Sequence, residues 1–133
     1  MKAYYFKKEE RLCNKRLINV LYESGSSFIL YPYKVIFSPC DQIDVPVQVL
    51  FSAPKRRFKK AVDRNFLKRR MREAYRLQKA ISLYPFFKEH PILLSIQYIG
   101  KNIEGYHFIA EKMNKLFLKL QDEYSNIHLE SNC

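Results

Sequence analysis

Residues 55–79, KRRFKKAVDRNFLKRRMREAYRLQK, set twelve Lys or Arg beside two acids, Asp63 and Glu73, a local net of +10 against +11 for the whole 133-residue chain. Cations at this density suit one chemistry, the neutralisation of closely spaced phosphates. The planar Arg fork grips two phosphate oxygens at once, and Lys adds a mobile point charge. Such a field repels itself in a compact chain and is kept where a polyanion binds, which points to nucleic acid. Nothing comparable exists for breaking bonds. His90, His107 and His128 are dispersed and acids are nearly absent beside the cations, so no catalytic residue is assigned. Cys13, Cys40 and Cys133 match no zinc spacing and are an odd number, so no metal ligands are assigned and reduced, cytoplasmic thiols are expected.

The basic window must be held by a helix. At 100° per residue, Leu67, Met71, Ala74, Leu77 and Ile81 gather on one side, and Arg64, Asn65, Lys68, Arg69, Arg72, Arg76 and Lys79 gather on the other. The polar side forms a rail about 20 Å long at about 1.5 Å per residue. This helix is expected to start near Asp63, in the cap position, or a residue or two earlier, and to run to about Leu83, before Pro85. Lys55–Lys60 is a basic loop entering it. Upstream, a first helix is predicted over Asn14–Glu23, ending at Ser24-Gly25, with Leu17 and Leu21 on one face and Ile18 and Tyr22 as a neighbouring pair. Ser27–Pro39 reads as extended with a break at Pro32. Tyr33, Val35 and Phe37 share one face; Lys34 and Ile36 share the other. Pro46–Ala53 is the next strand, expected to pair antiparallel with the one before it. Pro91–Ile99 is apolar enough to be a central strand, and Tyr106–Tyr124 has the period of a core helix. The class is therefore α+β, helices packed on a small sheet.

Length argues for a single RNA-binding domain over 1–133, with a polar, partly extended arm over 1–13 and flexible termini at about 1–10 and 125–133. The first residues, MKAYYFKKEERL, lack the apolar core of a secretory signal. The longest apolar runs are too short or too interrupted to span a bilayer, so no membrane association is expected.

The window closely resembles the signature of the bacterial ribonuclease P protein subunit. That family pattern has a basic loop after a strand, an Ala-Val pair, an Arg-Asn-Arg core, then Lys-Arg and a further Arg. Here Lys55, Arg56, Ala61, Val62, Arg64, Asn65, Lys68, Arg69, Arg72, Glu73, Ala74 and Tyr75 match it. The element order over roughly residues 10–122 agrees too. The resemblance implies an αβββαβα sandwich with a small mixed sheet and a left-handed βαβ crossover, against the usual right-handed preference. It implies two partners, the catalytic RNA of ribonuclease P and precursor tRNA, with no obligate protein partner. It implies that RNA performs the hydrolysis that removes the 5′ leader, with Mg2+ at the RNA active site and no cofactor assigned to the protein. The implied catalytic-RNA-binding set is Lys55, Arg56, Lys59, Lys60, Arg64, Asn65, Lys68, Arg69, Arg70, Arg72 and Arg76. The implied leader-binding set is Ile18, Tyr22, Lys34 and Ile36, where Ile18 replaces a ring of the family. The competing reading is a ribosomal-type structural RNA-binding protein without a role in cleavage.

One position departs from the pattern. Phe66 stands where the family has the second Arg of Arg-Asn-Arg, and Arg70 stands where it usually has an aliphatic residue. Positions four apart are neighbours on a helix. Two arrangements are open: Arg70 reaches back into the space of the missing arginine, or Phe66 joins the core and Arg70 extends into solvent.

Overall fold

Asn14 sets the first helix. Its side-chain oxygen accepts from the backbone N–H of Arg16 at 2.9 Å and of Leu17 at 3.2 Å, satisfying two donors that have no partner inside the helix. In the computed structural model, which describes residues 6–129, α1 runs Lys15–Ser24 and buries Leu17 and Leu21. It stops at Gly25, whose φ of −75° any residue adopts. Space is what demands the glycine: a Cβ there would lie 2.4 Å from the Leu21 carbonyl oxygen and 2.8 Å from Ile36 Cγ2.

β1 (Ser26–Leu30) and β2 (Tyr33–Pro39) form an antiparallel hairpin whose turn contains a cis Tyr31–Pro32 bond. β3 is Val47–Ser52 and β4 is Ile92–Tyr98, and the sheet order is β1-β2-β4-β3. β4 runs antiparallel to β2 and parallel to β3. The expected β2–β3 pair therefore does not form. β4 is buried at every residue except Gln97, so it belongs in the middle, covered on both faces, and it separates β2 from β3.

α2 (Ala61–Ser82), a short α3 (Tyr84–Phe87) and α4 (Tyr106–Tyr124) complete the chain. The α2 cap is Lys60, not Asp63. Asp63 sits in the first turn, where a carboxylate complements the positive end of the helix. One face of the sheet packs Tyr33, Val35, Phe37, Val47, Val49, Phe51, Leu94 and Ile96 against α2 and α4. The Tyr33 hydroxyl, held protonated by burial, donates to the Ile109 carbonyl at 2.7 Å and ties β2 to α4. A smaller cluster of Leu12, Leu17, Leu21, Ile43 and Leu93 seats α1 on the opposite face.

The buried stripe of α2 is rotated from the hydropathic one. Leu67, Met71 and Ala74 are buried as expected, but Leu77 is 41% and Ile81 77% exposed. Tyr75 and Lys79 are buried in their place, and Gln78 donates to the Ala110 carbonyl of α4 at 2.9 Å. The N-terminal segment explains the turn. Rather than a flexible terminus, Phe6–Leu12 is packed along the β3 edge. Phe6 stacks edge-on against Tyr75 at 5.8 Å, Arg11 bridges Val49, and the Leu12 N–H donates to the Val49 carbonyl at 3.0 Å. Glu10 is 3% exposed, and its Oε1 accepts from both the Lys79 ammonium and the Tyr84 hydroxyl. Burial, then Tyr75 and Glu10, keep the Tyr84 hydroxyl protonated, so it serves as donor. At the other end Ser125–Leu129 continues α4 as a wider helical turn, and the His128 ring lies 4.8 Å from Tyr124. Residues 1–5 and 130–133 of the termini expected to be flexible lie outside the described residues.

Candidate nucleic-acid interface

The basic loop has a hydrophobic pin. Phe58 is 7% exposed and packs 5.8 Å from Tyr98, while Lys55, Arg56, Arg57, Lys59 and Lys60 around it all face solvent. Arg64 closes the loop onto α2, donating from Nη1 to the carbonyls of Phe58 at 2.8 Å and Lys59 at 3.0 Å. One nitrogen of that guanidinium is thus engaged in holding the loop.

Apart from Arg64 and Arg70, the cations of α2 fall into three kinds. Lys79, placed by its period on the polar side, is buried and held by Glu10. Arg76 grips Glu73 from Nε at 3.2 Å and Nη2 at 2.5 Å, which holds the Glu73 carboxyl below the usual carboxylate range. Among the described residues no carboxylate pairs with Lys68, Arg69 or Arg72. Arg69, Arg72 and Asn65 are exposed and Lys68 is half-buried, so these four present uncompensated donors on one rigid element. The sequence reading missed Arg11. The docked N-terminal segment brings it into a groove of about 250 Å³ that Lys68, Arg72 and Phe51 also line. Nothing in the local sequence marks Arg11, because its place depends on Glu10 being anchored to Lys79.

Phe66 is not in the core: it is 36% exposed, and the Arg70 guanidinium carbon lies 4.0 Å from its ring centroid. Arg70 Nη1 also approaches the Glu104 carbonyl at 3.5 Å. Of the two arrangements the sequence left open, a buried Phe66 is ruled out, and Arg70 folds back over position 66. The loop that receives it is set by Tyr98, whose hydroxyl burial pushes up to about 12 and which donates to the Asn102 carbonyl at 2.6 Å.

On the opposite sheet face, alternation places Lys34 and Ile36 together as expected. Ile36 pairs in register with Ser95, and Lys34 with Gln97. The Tyr22 hydroxyl is 2.9 Å from Ser95 Oγ, so its ring, half exposed, is tethered beside Ile36. Ile18 lies one turn back and, with Ile36, packs against the small apolar cluster. Tyr22, Lys34 and Ile36 therefore share one surface, and Ile18 supports it from below. Ser95 and Gln97 belong to this surface and were legible in principle, as the polar members of an otherwise apolar strand.

Among the described residues no group of three or more His, Cys, Asp or Glu converges as a metal site, and no helix is long and apolar enough to cross a membrane. His90 and His128 both pack against Tyr124, at 5.8 and 4.8 Å, and His107 lies apart from them beside Tyr106.

Comparison with known proteins identifies the family and the fold. A family model for ribonuclease P matches residues 6–97. The chain is 31% identical over 116 residues to a ribonuclease P protein component of Porphyromonas gingivalis, covering 85% of this chain and 84% of the relative. It is 31% identical over 123 residues to that of Petrotoga mobilis, covering 91% and 99%. Among solved structures, the ribonuclease P protein of Staphylococcus aureus superposes with a TM-score of 0.66 at 19% identity, over 84% of this chain and 94% of that one. The protein from Thermotoga maritima gives 0.67 at 21%, over 83% and 96%.

Proposed function

Since the chain belongs to the ribonuclease P protein family, whose general role is in tRNA processing, we propose that α2 and its basic loop bind the catalytic RNA while the open sheet face holds the 5′ leader of precursor tRNA. The observation that carries this is the set of unpaired cations Lys68, Arg69 and Arg72 on one buried-face helix, reinforced by Arg11. Fixed positive charge lowers the repulsion of crowded RNA phosphates and stabilises the folded RNA. Lys55, Arg56, Lys59 and Lys60 extend the same field from the loop, and Arg64 holds that loop in place. On the sheet face Tyr22 offers a tethered ring for a leader base, beside the Lys34 cation for a leader phosphate. No side chain of this chain acts on the scissile bond. Mg2+ at the RNA active site supplies the activated water. The protein works in the cytoplasm as the accessory subunit of this endoribonuclease.

The RNA that copurifies from the source cell tests the assignment. It should be a single structured RNA that cleaves precursor tRNA; recovery of ribosomal RNA instead would establish the ribosomal-type alternative.

Tyr22→Ala is expected to weaken binding of precursor tRNA with a long leader by about 1–3 kcal/mol, the usual value of one stacked base. A substrate with a one-nucleotide leader should lose far less. Equal losses for both would mean that Tyr22 serves the fold through Ser95 alone.

Arg70 takes over the phosphate contact of the arginine missing at position 66. Arg70→Leu should flatten the log–log salt dependence of RNA affinity by about 0.7–0.9, the share of one phosphate. Adding Phe66→Arg should restore the slope, a coupling that a double-mutant cycle measures directly. Slopes that add without restoration would make Arg70 an ordinary exposed charge.

A further inference from the structure

Phe66 has a second consequence. The ring is capped on one side by Arg70, 4.0 Å from its centroid, and elsewhere opens into a cavity of about 380 Å³ lined by Val62, Asp63, Asn65, Phe66, Arg69 and Ile103. Val62 is 75% exposed and Ile103 42%, and neither belongs to either core cluster. Three apolar side chains thus converge in water on the most cationic face of the protein. The apolar surface they still expose is uncovered in the free chain, and such a patch at a charged face marks an interaction site. The volume is at the small end of ligand pockets, which run from about 300 to 1,000 Å³. Arg70 is held against the loop at the Glu104 carbonyl, so the ring it caps is a fixed platform.

The occupant has to be flat and apolar on its faces, polar at its edge and attached to a phosphate. We infer that this pocket captures one unstacked guanine of the bound RNA, stacked on Phe66 and read by Asp63. This rests on the RNA-binding reading above and deepens it. A base that leaves its stack exposes its Watson–Crick edge, and RNA-binding proteins receive such bases on aromatic rings. Guanine presents two adjacent donors, N1–H and N2–H₂, to a carboxylate that accepts with both oxygens. Asp63 is the only acid among the lining residues. Arg69 takes the attached phosphate. The Arg70–Phe66 pair then extends into a guanidinium–ring–base stack.

Two measurements decide it. In the first, GMP, AMP and ribose 5-phosphate are titrated separately into the full chain with 13C-labelled methyl groups. GMP should shift the Val62 and Ile103 methyls upfield through the ring current of the base, AMP less, and ribose 5-phosphate not at all. Phe66→Ala should abolish the GMP shift and Phe66→Tyr should keep it. Equal effects of GMP and ribose 5-phosphate, or of GMP and AMP, would overturn the proposal. In the second, Phe66→Ala should lower affinity for the catalytic RNA by about five-fold or more, the lower end of what one stacked base contributes, while leaving the salt slope of the wild type intact. Wild-type affinity in Phe66→Ala would remove the pocket from the interface without touching the phosphate contacts. A wild-type chain with no salt-dependent RNA affinity would instead sink the underlying RNA-binding reading, and the mononucleotide shifts would still decide the pocket.

Discussion

Glu10→Ala is expected to destabilise the fold by about 3–5 kcal/mol, the usual cost of breaking a buried ion pair by removing one member. Glu10 and Lys79 are 3% and 2% exposed, and Glu10 accepts from Tyr84 through the same oxygen that meets Lys79. Removing the carboxylate takes the countercharge from an ammonium that lies 5.6 and 5.2 Å from the ring centroids of Phe6 and Tyr84. Ring faces attract a cation but do not replace the lost charge. Denaturant unfolding should show a lower midpoint with an unchanged slope. The double change Glu10→Leu with Lys79→Met should recover most of the loss, because an apolar pair of similar volume replaces buried charge at little cost. A Glu10→Ala midpoint within error of wild type would mean that the segment is not anchored. Arg11 would then have no fixed place beside Lys68 and Arg72.

The second large effect is on RNA affinity. If Arg64, Lys68, Arg69, Arg70 and Arg72 each neutralise one phosphate, log affinity should fall against log salt with a slope of about −4. Between 50 and 200 mM salt that is a loss of about two orders of magnitude. The structure grades the individual contributions. Lys68→Ala and Arg72→Ala should each flatten the slope by about 0.7–0.9. Arg76→Ala should flatten it less, because Glu73 already holds that guanidinium. Lys79→Met, paired with Glu10→Leu to preserve the fold, should not change it at all, since Lys79 never reaches the surface. Equal slopes for all these variants would show that the cations of α2 are merely solvated.

Much of this was legible because most elements obey a single period. Tyr106–Tyr124 forms the helix its apolar spacing predicts, β2 and β3 alternate as read, and α1 runs within one residue of its expected bounds. What escaped depends on contacts remote in sequence. Hydropathy assigns Glu10 and Lys79 to water, yet 69 residues apart they satisfy each other in the interior. That pairing rotates α2, exposes Leu77 and Ile81, and turns a terminus expected to be flexible into a cover for the β3 edge. Strand order escaped for a similar reason. Neighbourhood in sequence favours β2 beside β3, whereas burial on both faces places β4 between them. At the candidate site, the charge on α2 could be counted from the sequence. Which cations are already spent, Arg76 on Glu73 and part of Arg64 on the loop carbonyls, required geometry.

The central claim, that this chain assists an RNA that does the chemistry, is tested most directly by reconstitution. Precursor tRNA is incubated with the chain alone, with the cognate catalytic RNA alone, and with both, over a range of magnesium concentrations. The chain alone should leave the substrate intact. The mixture should cleave at the mature 5′ end with tighter substrate binding and at lower magnesium than the RNA alone, and the gain should shrink in Lys68→Ala and Arg72→Ala. Site-specific cleavage by the RNA-free chain, or no gain over the RNA alone at any magnesium concentration, would contradict the account.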